Sequence, residues 1–243
     1  YAVNGAGIES AIKDREGNAI VVDHTNPQLT VSYPDPQGKD EANNIFYYGK
    51  KTENIDVSFN FVERNFFPED VTILLDDSNV TPESTDDNTI GISFAADEKN
   101  FYQLKAAYTD RSTNEMDDYT GPKLVVDKTD PVVEADYSGL TEQKTYDGDD
   151  VFYYASEQTI NVTITDEFVD LSTIEATVVD CDNTETRFTD IENALKDRDN
   201  WSYNDEKKAY VNTAAKLSED GNYEITITCA DLAKNTGTYK QKV

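Results

Sequence analysis

The sequence predicts an all-β chain built as two tandem β-sandwiches, and three observations carry the prediction. Apolar and polar residues alternate with period two in many short runs, and the turns between the runs are rich in Asp, Asn, Gly and Ser. In addition, one pattern of about one hundred residues is written twice.

The strands follow from their residues. "IDVSFNF" (55–61), "DVTILL" (70–75), "TINVTIT" (159–165), "IEATVV" (174–179) and "YEITITCA" (223–230) place β-branched and aromatic side chains at alternate positions, as a half-buried pleated surface prefers. "DDSN", "DGDD" and "SEDGN" punctuate them as turns. "TDIENALKD" (189–197) is the one helical candidate, a couple of turns long.

The repeats come in fixed order. "IVVDHTNPQL" (20–29) returns as "LVVDKTDPVV" (124–133), and "IFYYGKKTENIDVSF" (45–59) returns as "VFYYASEQTINVTI" (151–164) with one residue inserted. "YQLKAAYTDRSTN" (102–114) returns as "YEITITCADLAKN" (223–235). Tyr102/Tyr223, Leu104/Ile225, Ala106/Ile227 and Tyr108/Cys229 then share one strand face, followed by Asp110/Asp231 and Asn114/Asn235. The expected units are 24–127 and 128–243. Residues 1–23 read as the last hairpin of a preceding repeat, because "IKDREGNAIVVD" (12–23) carries Asp14 and Asn18 at the same spacing. The duplicated proline stretch marks a joint, where Pro27 and Pro131 fix φ and withhold a ladder hydrogen bond.

The 243 residues carry 49 acidic and 21 basic side chains, a formal charge of −28. Such a field repels phosphates and anionic lipid, so neither nucleic acid nor membrane insertion is expected. Mean hydropathy of −0.68 points to small cores with much surface.

Taken together, "DHTNP" (23–27), "DKTDP" (127–131), "ERNFFPEDVTI" (63–73) and "DGNYEITITCADLAKN" (220–235) resemble the immunoglobulin-like (Big-type) tandem repeats of bacterial cell-surface proteins. The second unit departs from the pattern, with "DEFVDLSTI" (166–174) in place of "ERNF". Thr113 and Lys234 stand where the family has glycine, so any positive φ there is carried by a residue with a side chain. The resemblance implies an extracellular or secreted location, spacing, stalk or adhesive duty, and no shared catalytic activity.

No residue pattern points to an enzyme. The single histidine, His24, lies in a joint where the other copy has Lys128, and no nucleophile motif accompanies it. Cys-x-x-Cys, His-Glu-x-x-His, P-loop and dinucleotide fingerprints are absent from the sequence. No catalytic, cofactor-binding or metal residue is therefore assigned. Calcium is the sharper alternative. Asp110/Asp231 and Asn114/Asn235 border a turn that should lie at the same end as Glu63, or Asp166 and Glu167, and as Asp23, or Asp127 and Asp130. The bland reading of the same residues is turn-stabilising Asx chemistry.

Cys181 and Cys229 are not expected to pair. In an immunoglobulin-like order they sit at opposite ends of neighbouring strands, roughly 20 Å apart, beyond the reach of a disulfide. Tyr102 and Tyr223 read as corner-type packing contacts, the two "FYY" stretches as core, and Trp201 as core or as an exposed carbohydrate platform. The function expected is that of a non-catalytic spacer or stalk segment. Its partners would be neighbouring repeats of the same chain. The alternatives are an adhesin-type module for host glycan or protein, and an accessory module of a secreted carbohydrate-active enzyme.

Overall fold

The computed structural model describes residues 2–3, 9–10, 21–137, 140–146 and 149–243. The hairpin expected over 1–23 thus falls largely outside the described residues. Two compact units form, and they interleave along the chain. The first comprises Tyr1–Pro34, Asn54–Ala95 and Tyr102–Pro122, and the second Asp35–Glu53, Ala96–Phe101 and Lys123–Val243.

In the first unit one sheet orders Gln28–Ser32, Asn54–Val62, Thr89–Ala95 and Ser84–Asp86, all antiparallel neighbours. The expected alternation is realised in Asn54–Val62: Ile55, Val57, Phe59 and Phe61 point into the core, while Asp56 and Asn60 face solvent. Facing that sheet, residues 104–108 of the strand Lys99–Tyr108 pair antiparallel with Val71–Leu75, bringing Ala106 opposite Ile73. The latter strand reverses into Ser78–Asn79 through Asp76 and Asp77, with φ of 50° and 62°. Two consecutive positive φ values make this a tight mirror-image turn, and the neighbouring strand holds it: Asp76 Oδ1 accepts the Gln103 N–H at 2.9 Å and Asp77 Oδ1 accepts the Lys105 ammonium at 2.7 Å.

The second unit repeats the first sheet with Val132–Asp136, Asn161–Thr165, Ala209–Asn212 and Trp201–Asn204 in that order. Its other sheet orders Leu140–Tyr146, Asp149–Tyr154, Thr236–Lys242, Tyr223–Asp231 and Val169–Asp180. Their inner faces form one core around Ile160, Val162, Ile164, Val178, Ile225 and Ile227. The predicted helix, Thr189–Lys196, closes this core with Ile191 and Leu195. A further element of this unit is the hairpin Gly38–Asp40/Ile45–Tyr48, whose second strand runs parallel to residues 123–126. The same parallel pairing joins Asp149–Tyr154 to the last strand through Val151 and Lys242. The architecture is all-β and immunoglobulin-like, and its strand order is written twice.

Trp201 is core. It is 7% exposed, and its indole N–H donates to the carbonyl of Leu195 at 2.8 Å. The carbohydrate-platform reading of this residue is overturned, because the ring is buried in the second-unit core and its N–H is taken by the helix. The tyrosine corner is also present: the Tyr223 hydroxyl donates to the carbonyl of Glu219, four residues upstream, at 2.6 Å. Tyr223→Phe should therefore lose about 1–2 kcal/mol in urea unfolding, with the fold retained. The two "FYY" stretches differ from expectation. Tyr47 and Tyr48 are buried, whereas Tyr153 is 39% exposed, on a strand whose outer neighbour is only the Leu140–Tyr146 edge.

Both cysteines are free thiols. Strand pairing sets Tyr223 opposite Asp180 and Thr228 opposite Glu175, so Cys181 and Cys229 lie at opposite ends of the ladder as expected.

Candidate metal centre

The strongest chemical feature arises where three strand ends meet. A buried strand face continues inward at every second residue, so the first position past the core still points in. In the second unit that position is held by Asp231 after Cys229, by Asp166 after Ile164, and by Asp127 after Val125. One carboxylate oxygen from each lies within 4.8 Å of the others. The first unit repeats the arrangement with Asp110 after Tyr108, Glu63 after Phe61, and Asp23.

The turns that shape both clusters are the same. Asp231 N–H donates to Asn235 O (3.1 Å) and Lys234 N–H to Asp231 O (3.2 Å), as Asp110 N–H does to Asn114 O and Thr113 N–H to Asp110 O, both 3.0 Å. The position expected to need glycine is left-handed in both copies, with φ of 64° at Lys234 and 72° at Thr113. Since Thr is β-branched, Thr113→Gly should raise stability by about 0.5–1 kcal/mol, read as a higher urea midpoint.

Asn235 and Asn114 are staples. The Asn235 amide donates to Asp231 Oδ2 (2.7 Å) and to the Asp127 carbonyl (2.9 Å). The Asn114 amide does the same with Asp110 Oδ2 (2.8 Å) and the Asp23 carbonyl (3.3 Å). Each ties its turn to the joint segment. Of the other residues singled out from sequence, Asp130 is drawn into an ion pair with Lys50. Glu167 stays outside the cluster, though its charge acts on Asp166.

The two clusters differ in what their oxygens already do. In the first, Asp23 Oδ1 accepts the Thr25 N–H (3.0 Å) and hydroxyl (2.7 Å), and Oδ2 accepts the Asn65 amide at 3.2 Å. Glu63 Oε1 accepts the Asn65 N–H at 2.8 Å. Those donors hold the Asp23 carboxyl below its ordinary pKa, the Thr25 hydroxyl foremost. In the second, Thr129 supplies the same two donors to Asp127 Oδ1, at 3.0 and 2.7 Å, and Phe168 N–H donates to Asp166 Oδ1 at 2.7 Å. Asp127 is only 5% exposed, and its Oδ2 is buried with no hydrogen-bond partner. Burial first, then the neighbouring carboxylates Asp127, Asp231 and Glu167, push the Asp166 carboxyl up to about 6. Burial likewise raises Asp231, and it lifts the adjacent Cys229 thiol to about 11. Three carboxylates brought this close with little solvent around them make a site whose natural complement is positive charge.

Beside this cluster lies a small apolar knot of Tyr47, Val125 and Ala233 with Ile45, Phe168 and Leu232 against it. Backbones approach closely here: a Cβ on Gly49 would stand 2.4 Å from the carbonyl oxygen of Ala233. Gly49→Ala should consequently lower the thermal midpoint of the protein by several degrees.

No protein-family model matches the chain, and no curated protein matches it. Among solved structures it is similar to the fibronectin(III)-like modules of Clostridium thermocellum CbhA. The TM-score is 0.36 and the identity 14%, over 88% of this chain and 92% of that one. A putative membrane-anchored protein of Corynebacterium diphtheriae gives a TM-score of 0.31 and 11% identity, with 88% of this chain and 56% of that chain covered. Dimeric latent PorU of Porphyromonas gingivalis gives 0.30 and 10%, with 88% and 24% covered. At these scores the assignment of an immunoglobulin-like fold rests on the sheets themselves.

Proposed function

We propose that this chain is a non-catalytic spacer segment of an extracellular bacterial surface protein, made of Big-type repeats over 24–127 and 128–243. Its task in that reading is to present another domain away from the cell wall. The observation that carries it is the duplication of one framework. Strand order, turn hydrogen bonds and buried carboxylates recur at matched positions, whereas a binding or catalytic site need be built only once. The aromatic side chain best suited to a sugar platform, Trp201, supports the same reading by being buried. Among the described residues no helix is long and apolar enough to cross a membrane.

Stretching the 243-residue chain between two handles in single-molecule force spectroscopy tests the proposal. Two discrete unfolding steps are expected, each releasing about 30–40 nm of contour for a repeat of about one hundred residues. Extension without resistance would remove the mechanical role. Saturable binding of the intact chain on a glycan or matrix-protein array would favour the adhesin alternative instead.

A further inference from the structure

We propose that Asp127, Asp166 and Asp231 bind one hard divalent cation of the calcium type. The argument is independent of the spacer reading. Acidic clusters are common on a chain of charge −28, and most are solvated. This one differs in two respects. Asp231 and Asp127 are 0% and 5% exposed, so water cannot fully screen their repulsion. Moreover, Asp127 Oδ2 has no donor at all, while the other oxygen of the same carboxylate has two. A buried carboxylate oxygen without a donor is costly, and a cation at the centre of the three acids removes that cost and the repulsion together.

The size fits as well. Oxygens that all touch one calcium ion at about 2.3–2.6 Å can stand no further apart than about 5 Å, and this set lies within 4.8 Å. Magnesium demands ligands at about 2.0–2.1 Å in a stricter octahedron, which suits a set drawn from three separate segments less well. The second-layer bonds also match a ligand role. Thr129 fixes Asp127 through Oδ1, Phe168 N–H fixes Asp166 through Oδ1, and Asn235 fixes Asp231 through both oxygens. Oδ2 of Asp127 and the second oxygen of Asp166 are left for the ion, with Asp231 completing a three-sided cradle and water filling the remaining positions. The first-unit cluster holds no such donor-free buried oxygen, and the proposal is confined to the second.

The test uses the full chain, stripped of metal. Calcium chloride titrated in a calorimeter should give a saturable heat with a Kd on the order of 10⁻⁵ to 10⁻³ M. At about tenfold excess over Kd the thermal midpoint should rise by about 5 °C. Sodium chloride at equal ionic strength should not reproduce that rise, and magnesium should give less than half of it. Asp127→Asn keeps the Thr129 contacts and replaces the orphan oxygen with a donor. That variant should melt higher than the parent in EDTA yet lose the response to calcium. Asp23→Asn should keep the response. A midpoint equal in EDTA and calcium would overturn the proposal. So would a response that sodium reproduces in full, or one that survives in Asp127→Asn.

Discussion

Glu192→Ala should destabilise the second unit by about 2–4 kcal/mol, the steepest loss expected from any single surface-type residue in the chain. Glu192 sits in the first turn of the helix Thr189–Lys196 and is only 3% exposed. Its Oε1 accepts the N–H of Val178 at 2.9 Å, and the carboxylate also takes the Arg187 guanidinium, with Nε to Oε1 at 2.9 Å and Nη2 to Oε2 at 2.7 Å. One side chain thus terminates a buried strand amide and anchors the loop leading into the helix. Removing it strands the Val178 N–H, which accounts for about 1–3 kcal/mol. The rest comes from the lost ion pair, discounted because the Arg187 side chain is 50% exposed and regains water. Glu192→Gln keeps an acceptor for Val178 and should lose only about 1–2 kcal/mol. Trp201, the only tryptophan, lies in the same core, so its fluorescence through a urea titration reads both variants directly. A loss below about 1 kcal/mol for Glu192→Ala would mean that solvent, not Glu192, serves Val178.

That residue also shows where sequence reading stops. Period-two alternation revealed the strands because burial on one sheet face imposes it, and the helix was visible from "IENALK". The residues that form both carboxylate clusters were visible too, since Asp110/Asp231, Glu63/Asp166 and Asp23/Asp127 recur at the ends of matching strands. Their burial was not. An acid one step beyond the core reads as a turn residue until register shows that its side chain continues the inward face. That Asp127 Oδ2 lacks a partner emerges only in the folded chain, because "DKTDP" and "DHTNP" supply identical Thr donors. Glu192 reads as the polar face of a short amphipathic helix, and nothing local announces that Val178 lacks a ladder partner. Trp201 has no counterpart in the first repeat, so duplication offered no guide to its burial. The interleaved units likewise depend on residues 35–53 packing with 123–243, a long-range contact that alternation does not encode.

In the first unit the largest loss is expected at Phe61. The ring is 1% exposed, stacks on Phe66 with centroids 4.8 Å apart, and meets Tyr108 edge-on at 5.7 Å. Phe66 and Tyr108 also meet, at 5.4 Å, which closes a three-ring cluster. Phe61→Ala should therefore lose about 3–5 kcal/mol, the transfer of the ring plus a cavity that two flat neighbours cannot fill. Phe61→Leu keeps most of the volume and should lose about 1–2 kcal/mol. A cycle of Phe61→Leu with Phe66→Leu should show about 0.5–1.5 kcal/mol of coupling, followed by circular dichroism in urea. Additive losses would show that the rings merely fill space. The second unit makes the contrast physical, since Ile164 and Cys229 stand where the first has Phe61 and Tyr108. The same inward faces end in Glu63 and Asp110 in one unit, and in Asp166 and Asp231 in the other. Aromatic bulk beneath the first cluster adds packing to the hydrogen bonds that hold its strand ends. Beneath the second, smaller side chains leave more of that work to whatever neutralises the three carboxylates, so cation removal and core truncation should affect the two units in opposite proportion.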